Sequence, residues 1–237
     1  MIKQSNYTVS ENDILTFRRL RMAIGYLGFC LPLALVILSF IPFFKTNVQQ
    51  SISHYYYTNL RELFTGLLCA VSLFLIRYKG YKNPVFWKND NLMTNIAGAM
   101  ALCVALVPTN PECCSDKIYT FIPICETWVG WVHYGFAFIL FLVLATISFK
   151  VFTLCQKETN DIPISFLNEN KIYRICGISI IVSIFMIPVS DYFEIPYSTL
   201  FFEALSLIAF GIAWLIKGRA LGDRGKWGRM VYREHNL

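Results

Sequence analysis

Four ionisable side chains stand at the starts of otherwise apolar stretches, and their types could do chemistry. They are Arg61 and Glu62, His133, and Glu203. Ser51, Ser53 and His54 come just ahead of the first pair, in the run SISHYYYTNLRE. Arginine grips phosphate through a bidentate fork, while carboxylates and imidazole take hydroxyl or amine groups. Together, Arg61, Glu62, His133, Glu203 and Ser53 suit a ligand site for a lipid head group or small solute. The competing reading is that an Arg61–Glu203 or His133–Glu203 pair only fixes helix docking. Buried ion pairs specify arrangement even when they add little stability.

Other chemistries have weaker signals. Two outer histidines with carboxylates could hold zinc, yet no HExxH or CxxC pattern occurs, so no metal ligand is assigned. Hydrolysis would use His133 with Glu203 and an outer serine, but there is no GxSxG elbow. Ser51, Ser53 and His54, adjacent in an extended loop, are expected to point in different directions. No Gly-rich phosphate loop or dinucleotide fingerprint appears, and no cofactor is implied.

The elements that must position these groups are legible. Six hydrophobic stretches run over about 22–44, 62–77, 92–108, 128–149, 172–190 and 197–216. Basic residues occupy alternate gaps between them. Lys3, Arg18, Arg19 and Arg21 precede the first, and Arg77, Lys79, Lys82 and Lys88 follow the second. Lys150, Lys157, Lys171 and Arg174 follow the fourth, and Lys217, Arg219, Arg224, Lys226, Arg229 and Arg233 follow the sixth. Only Lys45, Arg61 and Lys117 of the 21 fall elsewhere. Positive loops stay cytoplasmic, so the pattern predicts an all-α, six-span bundle with both termini inside. The domain reading is a cytoplasmic amphipathic lead-in over 1–21, a transmembrane domain over 22–217 and a basic cytoplasmic tail over 218–237. In this topology Arg61, Glu62, His133 and Glu203 share one outer layer. An isolated ionisable group at such depth costs several kcal/mol, so each needs a partner or a wet cavity.

Composition agrees. At 237 residues, 56% hydrophobic and 15% charged, the chain is too apolar for an ordinary soluble domain. The net charge of +6 sits beside membrane spans, where it serves orientation and anionic lipid rather than nucleic acid. The first stretch lacks a small-x-small cleavage pattern after Pro42 and is expected to stay as an anchor.

Local patterns refine the picture. Tyr55, Tyr56 and Tyr57 suggest an interfacial aromatic belt, or else a loop folded over an outer cavity. Glu62, Thr65, Gly66, Cys69 and Ser72 form a polar, small stripe expected to face the bundle interior. Ala97, Gly98, Ala101 and Ala105 form a second small face. Cys113, Cys114 and Cys125 share one outer gap, which predicts a bridge from Cys125 to Cys113 or Cys114. No internal repeat emerges.

Five segments carry a resemblance: SISHYYYTNLRELFTGLLCAVSLFLIRYKGY, NIAGAMALCVALVPT, WVHYGFAFILFLVLATISF, KIYRICG and FFEALSLIAFGIAWLIKG. Over about 20–218 the chain resembles a group of uncharacterised bacterial six-span membrane proteins, which implies fold and location but no activity. More distantly, Ile52-Ser53 after the first span resembles DRAM-like and CREST-type membrane proteins. Some of these are zinc-dependent lipid amidases with an HxxxH pair, which this chain lacks. The expectation is a multi-pass inner-membrane protein, more binding protein than enzyme, that binds or moves a lipid or small amphiphile through an outer-leaflet polar pocket. A lipid-modifying hydrolase is the alternative, and an accessory or assembly subunit is the third reading. Membrane lipid is the expected partner. A homo-oligomer or membrane-protein partner stays open.

Overall fold

Long runs of Leu, Ile, Phe and Ala, punctuated by Asn, Pro and Ser, favour helix within each run and breaks between them. In the computed structural model each apolar stretch is largely helical. The structure describes residues 11–110, 122, 127–154, 168–222 and 226–232. The helices are α1 (Glu11–Ser39), α2 (Arg61–Arg77), α3 (Asp90–Leu106), α4 (Thr127–Thr146), α5 (Glu169–Tyr192), α6 (Ser198–Lys217) and the short α7 (Lys226–Val231). No strand occurs among the described residues. Four helical segments are long and apolar enough to cross a membrane: Ile14–Ser39, Trp128–Val151, Glu169–Tyr192 and Ser198–Lys217. At 17 residues each, α2 and α3 are about 25 Å long, slightly under a typical hydrocarbon thickness.

Helix starts follow their caps. The Asn89 side chain accepts from Leu92 N–H at 3.1 Å, and Asn168 accepts from Lys171 N–H at 2.9 Å. From Glu11 onward the chain runs without a break into the first span, and Pro32 is carried within α1. At its far end α4 passes into a π-helical turn, Ile147–Val151, which brings Phe152 fully into the core.

The six long helices form a ring. Each packs on its neighbours in sequence, and α1 closes the circle against α6. Leu31, Leu35, Phe64, Leu68, Phe141, Leu144, Phe210 and Trp214 fill the interior. The closure is tight. A Cβ on Gly211 would lie 2.6 Å from the Phe29 nitrogen and 2.8 Å from the Gly25 carbonyl oxygen, so α1 and α6 touch backbone to backbone. Between α2 and α3, Ser72 donates to the Gly98 carbonyl at 2.7 Å.

The small face of α3 is buried as Ala97, Gly98, Ala101 and Ala105. The stripe of α2 behaves differently. Ser72 is inside, but Glu62 and Gly66 are exposed, and the buried face is Phe64, Leu68, Val71 and Leu75. Packing of these apolar side chains against the neighbouring helices and the Ser72 hydrogen bond to Gly98 hold this face inward.

Contacts sort the helix ends into two groups. The α1–α2 loop meets the end of α3 and the starts of α4 and α6. At the opposite end, Arg21 of α1 donates from Nη2 to Tyr78 Oη at 2.9 Å, and Tyr78 donates to Asp90 at 3.1 Å. Lys217 lies over the Phe152 and Tyr173 rings there. Cys113, Cys114, Cys125 and their expected bridge lie outside the described residues.

Candidate functional site

The loop after α1 builds the site. Lys45, at φ 46°, turns the chain back after Pro42–Phe44. Gln50 then docks on the start of α6. Its carbonyl accepts from Leu200 N–H at 2.8 Å and its side chain accepts from Tyr197 N–H at 2.8 Å, so two otherwise orphaned helix-start donors are satisfied by the loop. Residues Ser53–Tyr57 form a 3₁₀ turn, not the extended loop expected. Tyr55 is fully buried, with its hydroxyl 2.9 Å from Ser39 Oγ, and Tyr56 is buried beside it. Tyr57 donates to the Thr109 carbonyl beyond α3. The loop is therefore folded over the end of the ring, and the first two tyrosines are packing residues, not a lipid-facing belt.

This turn brings three of the expected site residues together. The Ile52 N–H donates to Glu203 Oε2 at 2.6 Å, and the Ser53 N–H is also directed at that carboxyl group. His133, 2% exposed, places Nδ1 2.6 Å from the Val107 carbonyl oxygen and Nε2 2.9 Å from Ser53 Oγ. A carbonyl only accepts, so Nδ1 carries the hydrogen and Nε2 is the acceptor for the Ser53 hydroxyl. Ser53 thus links His133 through its side chain and Glu203 through its backbone.

Arg61 and Glu62 go elsewhere. The Arg61 guanidinium sits 5.4 Å from the Tyr56 ring centroid, where it stacks on the folded loop. Burial pushes the Tyr56 phenol above its ordinary pKa, against the opposing pull of Arg61. Glu62 is exposed on α2. Neither lines the cavity described next.

That cavity, about 450 Å³, opens at the loop end of the ring and is bordered by many polar residues together with Tyr134, Ile195 and Pro196. Ser53 and Glu203 line it with Ser51, His54, Asp191, Glu194, Ser198 and Thr199. Directly adjoining is a crevice of about 30 Å³, walled by Phe64, Leu68, Val104, Leu140 and Leu207. Ser53 and Glu203 line both. The three carboxyl groups make the polar cavity an acceptor of hydroxyl and amine donors. Among the described residues, no three His, Cys, Asp or Glu side chains gather as a metal ion would require.

A second cavity of about 570 Å³ lies at the opposite end, lined by Arg18, Arg21, Lys79, Lys217 and Arg219. It attracts anions but brings together no nucleophile and base.

Sequence reasoning did not select Gln50, Asp191, Glu194, Ser198 or Thr199. The acid-and-Pro segment DYFEIPYS between two apolar runs was a usable signal, because Asp, Pro and Ser there must end one helix and start the next. Comparison with protein-family models, with curated proteins and with solved structures finds no match.

Proposed function

We propose that the chain is a six-span protein of a bacterial inner membrane that holds the polar head of a lipid or small amphiphile in the cavity above Ser53 and Glu203. One observation carries the reading: a polar, carboxyl-rich cavity and an apolar crevice meet at the same two residues. An amphiphile has the same two-part chemistry. Because Arg61 is engaged over Tyr56 and the lining is acidic, the favoured head group presents hydroxyls or an amine and not a phosphate. The basic residues flank the other end of the ring, so the positive-inside rule puts this cavity on the outer side and both termini in the cytoplasm. The 17-residue helices α2 and α3 cross with slight local thinning of the bilayer.

Purification into lipid nanodiscs followed by mass spectrometry of extracted lipid tests this. A hydroxyl- or amine-headed amphiphile is expected to be enriched over bulk membrane in the native protein. Replacing Glu194 and Asp191 together by Asn or Gln is expected to reduce that enrichment while leaving thermal stability unchanged. Co-purified lipid identical to bulk membrane in both proteins refutes the reading.

A further inference from the structure

We propose that Ser53 and His133 form a nucleophile–base pair that hydrolyses an ester with a short acyl group, the alcohol part lying in the polar cavity. The proposal rests on the head-group reading and adds a reaction to it.

The first argument is the direction of one hydrogen. Val107 holds the hydrogen on Nδ1 of His133, which leaves Nε2 as a lone pair aimed at Ser53 Oγ from 2.9 Å. A serine hydroxyl bonded to an imidazole lone pair is the arrangement a nucleophilic serine needs, with a third group orienting the base. Here the third group is a backbone carbonyl. The pair joins two elements 80 residues apart, so it is a product of the fold and not of local sequence.

The second argument is rigidity. Ser53 is 7% exposed and sits in a turn whose N–H groups are already bound: Ile52 to Glu203, His54 to Ser51 Oγ at 3.1 Å, and Tyr55 to the Ile52 carbonyl at 3.3 Å. Glu203 is thus a positioning residue. With these N–H groups occupied, donors to a developing oxyanion come from the side chains around the cavity, among them the Ser51 and Tyr134 hydroxyls.

The third argument is access. A serine that only tethered the loop to α4 would have no need to line a cavity, yet Ser53 lines two, one bordered by carboxyl groups and one almost wholly apolar. An ester carbonyl at Ser53 would set its alcohol part among Glu203, Asp191 and Glu194 and its acyl carbons among Phe64, Leu68 and Leu140. The crevice is small, about 30 Å³, so a short acyl group such as acetyl fits as the walls stand. A long chain would have to displace Phe64 or Leu68, both buried in the ring.

The reaction balances with water alone. Ser53 Oγ bonds to the carbonyl carbon as its proton passes to His133 Nε2. The carbon–oxygen bond to the alcohol breaks, and Nε2–H returns the proton to the leaving oxygen. Water then attacks the acyl-serine and gives a proton to Nε2. The acyl–Oγ bond breaks, Ser53 Oγ takes that proton, and a free carboxylic acid departs.

The test uses the full chain in nanodiscs with two sulfonyl fluorides that share a warhead, methanesulfonyl and hexadecylsulfonyl. The small reagent is expected to modify Ser53, mapped by peptide mass spectrometry, and the long one to leave it unmodified. His133→Gln is expected to slow modification by about 100-fold or more, the scale of a lost general base, while amphiphile enrichment is retained. Hydrolysis of p-nitrophenyl acetate is expected to exceed that of the laurate ester and to vanish in Ser53→Ala. If Ser53→Ala fails to fold, the mapping on unaltered protein decides. Unmodified Ser53 in a protein that still carries its amphiphile overturns the proposal and spares the head-group reading. Modified Ser53 in a protein with no enriched amphiphile does the reverse. Equal modification by both reagents overturns the short-acyl assignment.

Discussion

Removing the acceptor at Glu203 is the sharpest mechanical test of how the loop is held. Glu203 Oε2 takes the Ile52 N–H at 2.6 Å, and the Ser53 N–H is directed at the same carboxyl group. Each such bond contributes about 0.5–1.5 kcal/mol net, more where the acceptor is ionised, whereas an orphaned buried donor costs about 1–3 kcal/mol. Glu203→Gln keeps one oxygen acceptor and turns an amide toward the second N–H, so its expected cost is about 1 kcal/mol. Glu203→Leu orphans both donors, and its expected cost is about 2–6 kcal/mol. Reversible unfolding in mixed detergent micelles, followed by circular dichroism, measures both. The leucine variant should also loosen the 52–57 turn and slow sulfonyl fluoride modification of Ser53, while the glutamine variant leaves it within a few-fold. A leucine variant within about 0.5 kcal/mol of the unaltered protein refutes the reasoning, because Glu203 would then carry no part of the loop's anchoring.

Three further outcomes follow from the packing and the charge pattern. Gly211→Leu places side-chain atoms where the Phe29 nitrogen and the Gly25 carbonyl stand, and is expected to destabilise the ring by about 1–3 kcal/mol or more, measured by the same unfolding assay. Burial, then the Asp90 carboxylate, raises the Tyr78 phenol above its ordinary value, partly offset by Arg21. A raised folded pKa means the neutral phenol is the form stabilised. That contribution is complete below the ordinary tyrosine pKa of about 10 and is lost as pH rises above it, and Tyr78→Phe should flatten this alkaline loss. Cysteine labelling of sealed cells, in a background without native cysteines, is expected to modify position 191 from outside and to leave positions 82 and 157 unmodified. Labelling at 157 contradicts the six-span arrangement.

The fold was largely legible because its signal is local. Each apolar run from 22–44 to 197–216 is largely helical, although the first ends at Ser39, before the short turn Pro42–Phe44. The end of the ring at which two of the ionisable groups sit was legible too. His133 and Glu203, 70 residues apart, meet the same loop because alternating helices return to the same end. Lateral placement was not. Nothing in the order of residues distinguishes Arg61, which turns onto Tyr56, from Glu203, which turns into the cavity. The Ser53–His133 pair depends on a 3₁₀ turn where an extended loop was expected, and that turn is set by burial of Tyr55 and Tyr56, a tertiary effect. The polar stripe of α2 misled for a related reason: spacing marks a face, but only the competition among faces decides which one is buried.

The head-group cavity is the central claim, and a side-chain-resolution density map of the protein in native lipid tests it most directly. The expected result is ordered density between Ser53, Asp191, Glu194 and Glu203, continuous with an aliphatic portion and within hydrogen-bond distance of at least one carboxyl group. A cavity filled by water alone, with lipid ordered only on the outer surface of the ring, contradicts the account.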